Sequence, residues 1–533
     1  MKIKKTLSLF AIICVASVLY GCSNKIPDEV QDSQGSETTT SVSEQTSSVT
    51  EEVQNNSSAE NTSSFVKVML GDTNIEQAHE NNVITSVKWQ KLRLEDEHSS
   101  LYPELSNAFA KYNEDSMTEA KALMYEFTSI AKEMEGDEFN PAYCQAGAEI
   151  YIQRADKQLV SFLEGVEQYT GGVHPDYYVK GINLNTNSGQ EVALTDVLTD
   201  TKELPSILEK KITEKYSGVA FYNLEDTFSK YKPEEFTWTI DYQGITFWFS
   251  PYEIAAYSVG TLSARLWFDE FPDMFNKEYS EAPENYAIAL PVGKDIEFDL
   301  VKGDEKKDSV YTEYTLDQYG SYNMLTTVVN GKTFTDEINY AYYFDVYLVH
   351  IDDKNYIYSD STSDSDYHMI SVVDINGDKL QQTQQLSGTQ FYGEFVEEGF
   401  ETGTMYRQVF NNPDEFRLNT RFDILGTRFG FAGYKVNEKD GRAEMTDEDY
   451  NIEDGASVKS IIPLEVELLP DNSTKEIPSG TEFYPLRTDG KTYIDMKTED
   501  GQEVKFHYDN SEYPWKINGI SEEECFENIL YAG

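Results

Sequence analysis

His174 closes the run Tyr169-Thr170-Gly171-Gly172-Val173-His174-Pro175, and an imidazole lifted on a Gly-Gly turn has the chemistry to move protons near neutral pH. A general base also needs a carboxylate to orient it or a nucleophile to serve, and neither stands at a recognisable spacing. Turn packing and hydrogen bonding are therefore the favoured reading, with Gly171, Gly172 and His174 kept as a candidate functional turn. Cys144 could serve as a nucleophile beside His174 only with a third, orienting group. Its ordinary fates are a buried free thiol or a bridge to Cys525. Asp360-Ser361-Thr362-Ser363-Asp364-Ser365-Asp366 places oxygen ligands at alternate positions, as calcium loops do, but lacks their glycine and distal glutamate, so a solvated hairpin loop is expected. Glu522-Glu523-Glu524 reads as the charged first turn of a C-terminal helix. Histidines 79, 98, 174, 350, 368 and 507 include no pair four apart, and there is no Gly-x-Ser-x-Gly, phosphate-cradling loop or Cys-x-x-Cys. No catalytic residue, metal or other cofactor is assigned.

The balance of 95 acidic against 43 basic residues, a formal charge of −52 over 533 residues, excludes nucleic acid as a partner and favours cationic ones. Lys2, Lys4 and Lys5 precede an apolar run from Leu7 to Tyr20, the pattern of a signal peptide over residues 1–21. Leu19-Tyr20-Gly21-Cys22 resembles a bacterial lipobox and makes Cys22 the expected lipidation site. Residues 22–64 are rich in Ser and Thr, hold no aromatic residue and show no apolar period, so they are expected to form a disordered stalk. The expected location is the outer face of the bacterial cytoplasmic membrane, held through the N-terminal lipid.

Beyond Phe65 the composition changes to one that can build cores. Leu101, Leu105, Ala108, Phe109 and Tyr112 mark one helical face, and Met117 to Met134 mark a second helix, with Ser116 and Glu119 as its capping box and Gly136 as its stop. Strands follow at 148–153, 159–163 and 177–184, with a helical segment from Leu194 to Ile212. Phe236 to Ile240 against Ile245 to Phe249, turning at Gln243-Gly244, is a hairpin. From about Glu281 the chain reads as strands separated by Gly, Asn and Asp turns, and residues 461–517 suggest a small SH3-like barrel.

Three segments in order carry a resemblance. Gln168 to His174, Ser188-Gly189-Gln190-Glu191-Val192-Ala193-Leu194-Thr195-Asp196-Val197-Leu198, and Phe249-Ser250-Pro251-Tyr252-Glu253-Ile254-Ala255 with Gly260 resemble the extracellular domain of the RsiV anti-sigma factor family. Residues 83–167 resemble the domain that precedes it in RsiV and in the PdaC peptidoglycan deacetylase. The resemblance implies an α+β module, and in RsiV a receptor for lysozyme. The sequence shows no sigma-binding segment or transmembrane helix, and no deacetylase metal motif. The expected organisation is a PdaC-like domain at 65–167, an RsiV-like domain at 168–279, a β-rich domain at 280–420 and a β-rich, SH3-like C-terminal domain at 421–533. The fold class expected is an α+β module followed by a mostly-β region. The expected function is a non-catalytic binding lipoprotein for a cationic protein such as lysozyme or for peptidoglycan. A wall hydrolase and a structural or assembly lipoprotein are the alternatives, and nothing in the sequence sets the oligomeric state.

Overall fold

The computed structural model describes residues 64–531 except 80–81, 135–143, 305, 317–321, 342, 364–366, 398–402 and 453–455. Cys22, the expected lipidation site, the expected signal peptide and nearly all of the expected stalk lie outside the described residues, as does Gly136. The protein is mostly β, with several sheets. Five strands open the fold: β1 Val68–His79, β2 Asn82–Leu94, β3 Cys144–Ala155, β4 Leu159–Tyr169 and β5 Asp176–Asn185. They pair in chain order, antiparallel except for the parallel β2–β3 contact, and residues 403–408 and 393–397 extend the sheet beyond β1. The β1–β2 hairpin has no counterpart in the sequence reading, because Lys88, Gln90 and Arg93 interrupt its apolar pattern.

Between β2 and β3 run two helices, α1 Asp96–Leu101 and α2 Pro103–Met134. The expected break near Ser116 is absent. Tyr112 to Met117 contain neither Gly nor Pro, so the helix has no local reason to stop. Its apolar stripe instead shifts from one core to the next: Leu105 and Phe109 join the cluster of Leu92, Ile150 and Phe162, while Ala120, Phe127 and Ala131 pack on Val87, Trp89 and Cys144. Ser116 and Glu119 thus lie in mid-helix and cap nothing.

The next region holds α3 Leu194–Val197, α4 Leu204–Lys215 and α5 Leu224–Phe228, then the three-stranded sheet β6 Thr237–Ile240, β7 Gly244–Phe249 and β8 Leu262–Trp267. The expected hairpin forms with Ile240 opposite Ile245 and Trp238 opposite Phe247. Both of its faces are covered: Phe247 and Phe249 enter a core with Leu208, Ile212 and Phe228, while Trp248 packs with Leu163 and Val179. Gly181 allows β6 to cross β5 closely, since a Cβ there would lie 2.1 Å from the Trp238 carbonyl oxygen. Asn183 Nδ2 donates to that carbonyl at 3.0 Å, and the Ile240 amide donates to Ser161 Oγ at 2.9 Å. Two buried ion pairs reinforce this packing, Arg154–Asp156 at 2.6 Å and Arg265–Asp241 at 2.5 Å.

Residues 286–531 supply the remaining strands, in a five-stranded sheet, a four-stranded sheet and a large open sheet. Residues 340–351 are shared between two strands, Lys332–Ala341 and Tyr343–Ile351. The strand Phe416–Asp423 runs through position 420 and pairs with Thr427–Val436. The strands Glu482–Thr488, Tyr493–Thr498 and Glu503–Asp509 pair as an antiparallel meander, with a bulge between Pro485 and Arg487. It belongs to the open sheet, and among the described residues the pairings close no barrel. In place of the SH3-like barrel expected over 461–517, these strands form part of a larger sheet that packs around Phe483, Met496 and Phe506.

Candidate functional site

The β4–β5 connection lifts Gly171, Gly172, Val173 and His174 into solvent. Gly171 takes φ 81, open to glycine without strain, and the Tyr169 hydroxyl closes the turn on the Gly172 carbonyl at 3.1 Å. His174 Nδ1 donates to the Pro175 carbonyl at 2.9 Å. Its ring stacks on Tyr257 with centroids 3.8 Å apart, and the Tyr257 hydroxyl donates to the same carbonyl. The imidazole is thus a packed, exposed part of a surface. Asp176 and Glu167 surround Tyr257 with negative charge.

The other half of the patch comes from the loop after β7. Tyr252 is 56% exposed and lies 5.4 Å from the Tyr257 ring. Its φ of 71 is left-handed, an unfavourable conformation for a bulky residue that persists where its surroundings impose it. Glu253 does so here. Its carboxylate accepts from the Ser250 amide at 2.8 Å and from the Tyr231 hydroxyl at 3.0 Å, and burial raises its pKa. Ser250 Oγ accepts from the Val179 amide at 3.2 Å, tying the loop back to β5. The sequence reading found Gly171, Gly172 and His174 but missed Tyr252 and Tyr257 as their partners. The signal available was Pro251-Tyr252-Glu253, already quoted as a motif.

Cys144 and Cys525 are both buried and free, which settles the alternative between thiol and bridge. Burial raises both thiol pKa values, that of Cys525 to about 11, so neither is poised as a nucleophile. Cys144 is in the core beneath α2 while His174 is on the surface, and the two do not form a catalytic pair. Asp360, expected in a solvated loop, is wholly buried on the strand Lys354–Ser363 and accepts from the Phe391 amide at 2.9 Å. Residues 364–366 lie outside the described residues. Glu522 does begin a helix, Glu522–Cys525, but is buried and accepts from the Tyr531 hydroxyl at 2.5 Å. Among the described residues no group of three or more His, Cys, Asp or Glu could hold a metal ion.

A second feature went unnoticed in the sequence. The parallel pairing of β2 with β3 covers only Thr85–Lys88 with Cys144–Gly147. Beyond it, side chains take over: Gln90 Oε1 accepts from the Ile150 amide at 2.6 Å, and Asn113 of α2 bonds both the amide and the carbonyl of Leu92 at 2.8 Å. Beside this splay lies a small cleft between α2 and the sheet, with ≈ 30 Å³ of space that water can enter. Lys180 reaches Glu119 at 3.3 Å and Glu164 at 3.5 Å along its wall. Burial raises the Glu164 pKa, and Tyr112 hydrogen-bonds the same carboxylate. Burial alone would depress Lys180, but Glu164 and Glu119 hold its pKa above the usual value.

Residues 195–269 match the family described as "Protein of unknown function (DUF3298)". They lie within residues 168–279, the stretch expected from the sequence to form one domain. A solved member of the DUF3298 family from Bacteroides fragilis is similar to this chain at 17% identity, covering 40% of this chain and 96% of its own, with a TM-score of 0.31. A DUF3298 family protein from Pseudomonas aeruginosa is similar at 14% identity, covering 41% and 98%, with a TM-score of 0.28. No curated protein matches the chain. The chain thus carries, over residues 195–269, a domain of the DUF3298 family.

Proposed function

We propose that this protein is an extracytoplasmic lipoprotein, anchored through Cys22, whose RsiV-like module binds a cationic protein of the lysozyme kind through the patch of Val173, His174, Tyr252 and Tyr257. The observation that carries this reading is the left-handed, exposed Tyr252 held rigid by Glu253 and stacked toward a second aromatic and a histidine. Rigid aromatic groups lose little entropy on binding and dominate interfaces. The acidic residues around them and the formal charge of −52 favour a basic partner and speed its approach. The PdaC-like character of residues 65–167 and the Ser/Thr-rich stalk support wall glycan as the second ligand class in this reading.

The test is a pull-down of the full chain with lysozyme at two ionic strengths and with purified peptidoglycan, beside an acidic control protein of matched composition. Lysozyme capture that exceeds the control, weakens with salt and falls at least about tenfold in Tyr252→Ala supports the receptor reading. Capture no better than the control sinks it. Release of soluble fragments from peptidoglycan would instead point to the hydrolase alternative.

A further inference from the structure

The face of the first sheet turned away from α2 carries a lysine seated on a tyrosine instead of on a carboxylate. Lys294 stands in the turn between the strands Tyr286–Ala289 and Asp295–Phe298, after Gly293 at φ 75. It is half-buried, and in a chain of 95 acidic residues it makes no ion pair among the described residues. Its Nζ lies 4.4 Å from the centroid of the Tyr177 ring and hydrogen-bonds the Tyr177 hydroxyl. An ammonium donates to that oxygen and a neutral amine accepts from it, so the contact survives loss of the Lys294 proton. Burial lowers the Lys294 pKa to about 8 against the pull of Glu149 and Glu167, and burial raises that of Tyr177. The free amine is therefore far more abundant at neutral pH than on a solvated lysine.

Beside this amine the sheet is bare. Gly147 stands opposite Glu167, Glu149 opposite Gly165, and Tyr177 opposite Glu167. Opposed and alternate residues share a face, so these five lie together, while Ala146 and Ala148 point to α2. The Tyr177 hydroxyl fills the space above Gly165, 2.6 Å from where a Cβ would stand, whereas a Cβ on Gly147 would meet nothing within 4 Å. The open ground above Gly147 is bounded by Glu149, Glu167 and the Tyr177–Lys294 pair. The Tyr151 hydroxyl donates to Glu149, and partial burial together with Glu149 raises the Glu167 pKa. A nucleophilic amine, a carboxyl group that holds a proton and room for a small carbonyl compound are what imine formation needs. An anionic ligand is repelled by the two glutamates. We infer that Lys294 is an imine-forming site for a small uncharged aldehyde that enters over Gly147. The nitrogen attacks the carbonyl carbon and its proton passes to the oxygen, giving a carbinolamine. Protonated Glu167 gives its proton to that hydroxyl, which leaves as water while the nitrogen lone pair closes the C=N bond. The site borders the aromatic turn patch through Glu167 and does not depend on that patch binding a protein.

Reductive trapping on the full chain tests this. The protein is treated at pH 7 with propanal and cyanoborohydride, which turns each imine into a stable secondary amine, and the labelling rate of every lysine is read by peptide mass spectrometry. Lys294 is expected to be labelled at least about tenfold faster than the exposed Lys121 and Lys277. Its rate is expected to level off above about pH 8 while theirs keeps rising. Glyoxylate, an aldehyde with a negative charge, is expected to lose about tenfold against propanal at Lys294 relative to those two lysines. Gly147→Val, which fills the open ground, is expected to slow Lys294 labelling about tenfold and leave the melting temperature unchanged. Labelling of Lys294 no faster than of the exposed lysines, a rate that rises with theirs beyond pH 9, glyoxylate equal to propanal on that scale, or an undiminished rate in folded Gly147→Val overturns the proposal.

Discussion

His350 shows how a single titratable residue ties stability to pH. It is buried, donates from Nδ1 to Asn355 Oδ1 at 2.9 Å and stacks on Tyr286 at 5.0 Å. Burial lowers its pKa from the ordinary 6.5. The unfolded chain therefore binds the proton more tightly, and the stability contributed by neutral His350 is present above pH 6.5 and is lost as pH falls toward the lowered native value. We predict that wild-type melting temperature drops between pH 6.5 and 5, and that His350→Gln drops measurably less over the same interval. A steeper or equal drop in the variant would count against this assignment. Gly181 makes a steric argument at the same scale. Gly181→Ala would drive its Cβ into the Trp238 carbonyl, with an expected loss of about 1–3 kcal/mol in denaturant unfolding.

Elements in this fold are held together where the regular ladders give out. Asn113 is the clearest case: it sits in the middle of α2 and satisfies the Leu92 backbone, which β3 has splayed away from. Asn113→Leu leaves a donor and an acceptor of β2 unpaired, so we predict a loss of about 2–4 kcal/mol in chemical denaturation. A shift under 0.5 kcal/mol would mean that water replaces the amide there. The α2 helix also explains why a capping-box pattern misled. Ser116 and Glu119 have the right spacing, but a cap matters only where backbone amides are orphaned, and in a helix running from Pro103 to Met134 they are not.

Across the whole molecule, residues distant in sequence share cores. Leu70, Ile150 and Phe162 pack in one cluster with Tyr347, Phe410 and Leu418, and β1 takes its outer neighbour from residues 403–408. Thr62–Gly533 accordingly forms one compact unit. We predict that a fragment ending at Glu281 loses near-UV circular dichroism and binds a hydrophobic dye, because it uncovers half of that cluster and the edge of β1. A fragment with native-like, cooperative melting would overturn this. Asp241 belongs to the same scale, since its Arg265 partner is 2.5 Å away and both are buried. Asp241→Ala is expected to cost about 3–5 kcal/mol by leaving the guanidinium uncompensated.

Local chemistry made part of this protein readable from residues alone. The 237–249 hairpin and the succession of strands and Gly, Asn or Asp turns beyond Glu281 follow from period-two burial and from turn residues that tolerate left-handed backbone, as Asn330 and Gly331 do at φ 51 and 78. The Gly171-Gly172-His174 turn was legible for the same reason. What escaped was set by partners far along the chain. Tyr252 and Tyr257 became neighbours of His174 only through β7 packing beside β5, and Asp360 was drawn inside because sheet pairing buried its strand. The cleft exists because β2 and β3 part company after Lys88, an event with no residue pattern of its own. Periodicity records which face of an element meets the core, whereas tertiary packing decides which other element is waiting there.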